Sequence, residues 1–179
     1  VLYTFSKNSI ERLSTQSSIS IIFRELSLLL SPIISFTAEE AWSERYSEET
    51  IFNSKLSSEL YSDSKLEEKW DRVLSIREPI LKQIELMRTN KILGSSLEAK
   101  VILGVDSDNF DFYLENTVLL KKTLIVSEIE IHKSDKSELD IKVEKTLFKK
   151  CERCWMHFDE EDFDSKDSDL CSKCVSQMK

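Results

Sequence analysis

The sequence predicts an α+β protein: a helical first half, a small β-α-β-β unit, and a metal-binding module at the end. Three observations carry this. Apolar residues recur at three- and four-residue steps through most of the first ninety residues, and the whole 179-residue chain contains only two glycines and two prolines, so tight turns are few and long helices are expected. After Gly94 the period shortens to two, as in a strand. All four cysteines fall in the last twenty-nine residues as two CxxC pairs, Cys151/Cys154 and Cys171/Cys174, separated by sixteen residues.

The elements follow in order. Residues 8–30 read as an amphipathic helix whose apolar stripe is Ile10, Leu13, Ile21, Phe23, Leu26, Leu29 and Leu30. Its serine-rich middle is weak helix material, and Pro32 is expected to end it near Leu30. Thr37-Ala38-Glu39-Glu40 has the spacing of a capping box, with Phe36 and Ala41 as a weak hydrophobic staple and Trp42 as the core anchor. From Ser43 to Lys65 the chain is polar, with Ile51, Phe52, Leu56 and Leu60 as scattered anchors, and reads as a surface connection.

Leu66 to Lys91 is a second amphipathic segment, broken or kinked just before Pro79 and closed by Gly94. Leu97, Ala99, Val101, Leu103 and Val105 then alternate as one face of a strand. Asp106, Ser107 and Asp108 offer caps for a helix over 109–122. Strands are expected over 124–132, with a bulge near Ser127, and over 139–147. These elements divide the chain into 1–94, 95–147 and 148–179.

Each CxxC turn aims two sulfurs at one point, and two such turns supply the four thiolates of a tetrahedral, closed Zn²⁺ site. A site closed by four sulfurs is structural rather than catalytic. Two disulfides are the competing arrangement. The 150 residues before Cys151 hold no cysteine, the N-terminal stretch does not resemble a secretory leader, and both points favour zinc in a cytoplasmic protein. His157 is a substitute ligand that four thiolates make superfluous.

Composition narrows the function. There is no apolar run long enough for a membrane span, no Gly-rich phosphate loop, and only His132 and His157 as imidazoles. No nucleophile–base constellation assembles, and Glu39 and Glu40, adjacent on a helix, diverge. The chain reads as a binding module. A net charge of -8 opposes nucleic acid on average, but the distribution is uneven. From Lys142 to Trp155, Lys142, Lys145, Lys149, Lys150 and Arg153 outnumber Glu144 and Glu152, whereas Asp159, Glu160, Glu161, Asp162, Asp164, Asp167 and Asp169 outnumber Lys166 between the pairs.

Three stretches resemble bacterial-type isoleucyl-tRNA synthetase, in the order of that family's C-terminal part. They are Leu29-Leu30-Ser31-Pro32-Ile33-Ile34-Ser35-Phe36-Thr37-Ala38-Glu39-Glu40-Ala41-Trp42; Val73-Leu74-Ser75-Ile76-Arg77-Glu78-Pro79, continuing to Leu86-Met87-Arg88, Lys91-Ile92-Leu93-Gly94 and Ser95-Ser96-Leu97-Glu98-Ala99; and Lys150-Cys151-Glu152-Arg153-Cys154-Trp155 with Leu170-Cys171 and Cys174-Val175. The resemblance implies a fragment, as the start at Val1 also suggests: a partial helical anticodon-binding bundle, the small α/β unit and a zinc ribbon or knuckle. The catalytic domain, with its ATP and Mg²⁺, would lie upstream. The implied partner is tRNA(Ile), with no membrane, and the fragment is expected to be monomeric.

The resemblance places Arg153 and Trp155 at the anticodon loop, where unpaired bases stack on aromatic and guanidinium planes. Lys149 and Lys150 are candidates for phosphate contacts, and Arg77 and Arg88 for a further RNA face. The alternatives are a zinc-ribbon protein–protein adaptor and a purely structural clamp.

Overall fold

The computed structural model describes residues 1–47, 49–57, 62–134, 139–163 and 169–178. Leu60 of the polar connection, and Asp164, Lys166 and Asp167 of the acidic stretch, lie outside them. The chain falls into two units, Val1–Ser62 with Gln177–Lys179, and Asp63–Ser176. Helices and strands mix as the α+β expectation required.

In the first unit, helix α1 (Ile10–Leu30) starts at Ser9, whose hydroxyl accepts the Arg12 N–H. It stops at Leu30, two residues before Pro32, as expected. Helix α2 is Ser35–Arg45. Leu28, Ala38, Trp42 and Ile51 form the core of this unit, and Tyr46 packs on the Trp42 ring at 4.4 Å between centroids.

Two expectations fail here. Thr37 is inside α2 and caps nothing, because the Pro32 turn starts the helix at Ser35, three residues before a Thr37 cap would start it. The carbonyl of Leu30 accepts both the Ile33 and Ile34 N–H groups, and the Ser35 hydroxyl bonds back to Ser31. Glu39 accepts the Ile51 N–H at 2.9 Å instead of supporting a cap, and Phe36 points to solvent. The apolar stripe of α1 is also largely uncovered. Ile10, Leu13, Ile21, Leu26 and Leu29 are exposed, and Leu28 is the residue that reaches the core.

In the second unit, Asp63 caps α3 (Ser64–Ser75) by accepting the Leu66 N–H. Helix α4 is Arg77–Thr89. The break falls at Ile76, so Pro79 sits in the first turn of α4, where its missing N–H leaves no helical bond unmade. Gly94 does not close α4. Lys91 takes the left-handed conformation (φ 58°), and Ile92 and Leu93 both donate to the Met87 carbonyl. A Cβ at Gly94 would meet a Glu98 carboxylate oxygen at 2.9 Å, the movable end of a flexible side chain.

Strand β1 (Ala99–Val105) is the centre of a three-stranded sheet. Ala99, Val101, Leu103 and Val105 are buried among Val73, Ile76, Ile80 and Ile84 of the helical pair and Tyr113, Leu120 and Leu124 of the crossover. The crossover expected as one helix is two, α5 (Ser107–Glu115) and α6 (Thr117–Leu124), meeting at Asn116. Asp106 caps α5 through the Asn109 N–H, as its position suggested.

Strand β2 (Glu128–Lys133) runs parallel to β1, and β3 (Asp140–Lys145) runs antiparallel on the other side. There is no bulge at Ser127. Ile125 closes α6 in the left-handed region (φ 58°), which displaces the strand start to Glu128.

On the face opposite the helices, the Lys100 ammonium lies between the Glu128 and Glu130 carboxylates at 2.9 and 2.5 Å. Both hydrogen bonds hold the ammonium above its usual pKa.

The packing predicts a sharp contrast along α4. Ile80→Ala, at a site with 0% exposure, should lower stability in urea unfolding by about 2–5 kcal/mol. Leu86→Ala on the same helix, 56% exposed, should change it by less than about 1 kcal/mol. Similar losses at the two sites would contradict the burial of that face.

Candidate metal centre and nucleic-acid interface

The C-terminal module grows from a two-stranded hairpin. Strand β4 (Lys149–Lys150) pairs with β5 (His157–Phe158), and the six residues between them form the first cysteine turn. Within it, Cys151 N–H donates to the Met156 carbonyl and Trp155 N–H to the Cys151 carbonyl, both at 2.9 Å. The second cysteine turn is a bridge between Phe163 and Cys171 followed by α7 (Ser172–Ser176), which carries Cys174. The two turns are bonded to each other by Glu152 N–H on the Asp169 carbonyl.

The four sulfurs lie within 4.8 Å of one another, and Cys154 and Cys171 are 3.9 Å apart. Zn–S bonds of about 2.3 Å at tetrahedral angles put sulfurs about 3.8 Å apart. Cys151, Cys171 and Cys174 are buried, Cys154 is half-buried, and Phe158, Phe163 and Leu170 wall the group. No pair is joined as a disulfide, and His157 is not part of the cluster.

The electrostatics of the thiols also calls for a cation. Burial pushes the Cys154 thiol strongly upward and Cys171 up to about 11, and neighbouring sulfurs add to both shifts. Cys151 is the exception. Burial raises it too, but the N–H groups of Cys154, Cys171 and Arg153 point at its sulfur and bring it down to about 6. The Cys171 N–H reaches that sulfur at 3.4 Å. One sulfur is thus prepared as a thiolate by the backbone, whereas Cys154 and Cys171 keep their protons until a metal ion displaces them. The set fits a structural Zn²⁺ with no open coordination position.

The residues around the turn divide. Trp155 is 61% exposed and stands outside the sulfur core, and its backbone is in the left-handed region (φ 65°). The Lys150 ammonium lies 5.7 Å from its ring centroid and 3.9 Å from Glu152. Lys149 faces the Phe163 ring at 5.0 Å and Asp169 at 3.7 Å. Arg153 is half-buried, with Nη1 3.5 Å from the Cys174 carbonyl. Arg77 and Arg88 are exposed on α4, and Arg88 is paired with Glu85.

Sequence reading missed Ser127, which is 5% exposed. Its hydroxyl donates to the Leu97 carbonyl at 2.6 Å and accepts the His157 N–H at 2.8 Å. The break in alternation at this position was the available signal.

Fold and site together define a helical and α/β binding module ending in a four-thiolate metal turn. Residues 1–103 match the family described as the anticodon-binding domain of tRNA ligase, and residues 148–177 match the zinc finger found in FPG and IleRS. The chain belongs to the anticodon-binding domain family of tRNA ligases.

Particular relatives are isoleucine–tRNA ligases. That of Caldicellulosiruptor bescii is 32% identical over 185 residues, covering 99% of this chain and 20% of the relative. That of Methylacidiphilum infernorum is 36% identical over 182 residues, with 99% and 19% covered. That of Staphylococcus haemolyticus is 32% identical over 188 residues, with 100% and 20% covered. The chain therefore spans about a fifth of the length of the curated relatives it matches.

The metal site yields a direct prediction. Purified protein should carry about one zinc per chain by elemental analysis, given four thiolate ligands. Because protons compete with the metal for sulfur, chelator competition should show the zinc affinity falling as pH is lowered. Disulfides with no metal, or an affinity independent of pH, would contradict the site.

Proposed function

We propose that this chain is the anticodon-reading part of an isoleucine–tRNA ligase. The full enzyme joins isoleucine to tRNA(Ile) using ATP and Mg²⁺ in a catalytic domain outside this chain. Here the helical segment 1–94 acts as part of the anticodon-binding bundle, 95–147 as a small α/β subdomain and 148–179 as a zinc ribbon. The piece works as a cytoplasmic monomer. No described helix is long and apolar enough to cross a membrane.

The observation that carries the reading is Trp155. The sulfur core is walled by Phe158, Phe163 and Leu170, so the exposed Trp155 ring is not used to cover it. Its left-handed backbone adds a cost of order 1–3 kcal/mol that glycine would avoid. An exposed indole kept in a strained turn, beside the Lys150 ammonium, is a surface built to meet a flat, polyanionic partner. Unpaired RNA bases have that character: the ring takes the base and the ammonium takes the phosphate.

Each neighbour has a role in this scheme. The zinc holds the turn rigid, so little ordering remains to be done on binding. Lys150 is the cation nearest the ring. Lys149 joins it at a phosphate by exchanging Asp169 for the RNA backbone. Arg153 offers its guanidinium plane from the same turn while its Nη1 rests on the α7 backbone. A net charge of -8 makes binding by the isolated chain weak and steeply salt-dependent.

Two substitutions of the same residue test the reading. Trp155→Ala and Trp155→Gly should each weaken binding of a tRNA(Ile) transcript by about tenfold or more, since stacking is worth roughly 1–3 kcal/mol per base. Both should retain zinc. The glycine variant should be the more stable of the two by about 1 kcal/mol, because glycine accepts the left-handed conformation freely. Unchanged tRNA affinity in both would refute the assignment. Loss of zinc in both would show the indole to be a structural part of the metal module.

A further inference from the structure

The zinc module follows β3 after a short link, Thr146 to Phe148, and a tether alone leaves a swivel. Two groups of bonds meet beside that link. On one side, Thr146 N–H donates to the Glu98 carbonyl at 2.8 Å, and its hydroxyl donates to the Glu128 carboxylate at 3.0 Å while accepting the Phe148 N–H at 3.2 Å. On the other side is the Ser127 hydroxyl. It joins the Leu97 carbonyl just ahead of β1, its own position just ahead of β2, and the N–H of His157 at the start of β5.

We propose that Ser127 is a positioning residue for the RNA-reading turn: its hydroxyl seats the zinc hairpin on the α/β unit in the orientation that presents Trp155. The consequence for RNA rests on the function proposed above, whereas the seating itself does not. The chemistry is specific to a hydroxyl. Its one proton goes to Leu97, and a lone pair is left for the His157 N–H. Alanine would remove both bonds, leaving the part-buried Leu97 carbonyl and His157 N–H without the hydroxyl that joins them and the hairpin without this tie to the sheet. Threonine keeps both bonds.

Backbone residual dipolar couplings test the seating without RNA. In the zinc-loaded chain and in Ser127→Thr, β1–β3 and the cysteine turns should share one alignment tensor. In Ser127→Ala the turns should show a separate, reduced tensor with zinc still bound; a common tensor in Ser127→Ala overturns the proposal. Amide exchange in the unsubstituted chain gives a check that needs no variant. The His157 N–H should be protected to the level of Thr146, and free exchange there overturns the seating.

The RNA arm is a cycle with Trp155→Ala, using a tRNA(Ile) transcript. Ser127→Ala should weaken binding about tenfold alone and add little once Trp155 is gone. Full additivity would show that Ser127 does not act through Trp155. If the unsubstituted chain binds no RNA, the functional reading fails, and the alignment and exchange results still decide the seating.

Discussion

Four sulfurs gathered within 4.8 Å are the constraint on which the C-terminal module depends. Two thiolates about 4 Å apart repel by roughly 4 kcal/mol at an effective dielectric near 20, and four thiolates make six such pairs. They cannot all ionise without a cation, and three of them are buried away from solvent that would screen them. The module has a two-residue hairpin, one helical turn and a small apolar wall, too little to hold itself together by burial alone. Metal binding supplies the missing cohesion, so folding of this module and its zinc affinity are one equilibrium.

What the metal stabilises is passed on through backbone geometry. The first cysteine turn reverses the chain between β4 and β5 and leaves Trp155 facing out with φ at 65°. The turn in turn is bonded to a sheet whose central strand is buried by helices on one face and by Lys100 with its paired carboxylates on the other. Ser127 and Thr146 lie where sheet and hairpin meet. A rigid sheet, a short joint and a metal-clipped turn together give an exposed ring a defined direction. Recognition by stacking needs that, because the affinity gained from one base is small and easily lost to disorder.

Local signals were legible in the sequence wherever local chemistry decides the outcome. Pro32 ends α1, Asp106 caps α5, the alternation from Ala99 to Val105 is a strand, and two CxxC turns meet at one point. Signals failed where tertiary bonds compete. The Thr37–Glu40 pattern is a sound cap, yet the Leu30 carbonyl begins the helix earlier and Glu39 turns to Ile51. Gly94 looked like the residue to close α4, but Lys91 takes the left-handed position and the Gly94 N–H donates to the Glu98 carboxylate. The backbone of Trp155 has no sequence signature, and the broken alternation at Ser127 marks the position without naming its bonds. The bonds of Ser127 are set by partners thirty residues away, and the odd step there reads equally well as a bulge, whereas the Trp155 backbone is set inside the cysteine turn.

The central claim is that the zinc-held turn, and Trp155 on it, is what meets unpaired bases. Photo-cross-linking of the zinc-loaded chain to an anticodon stem-loop of tRNA(Ile), with a photoreactive base in the loop, tests this most directly. Peptide mapping should place the adduct on the segment carrying Cys154, Trp155 and Met156, and removal of the metal should abolish it. Adducts confined to α1 and α2, or an adduct at Trp155 undiminished by chelation, would contradict the account.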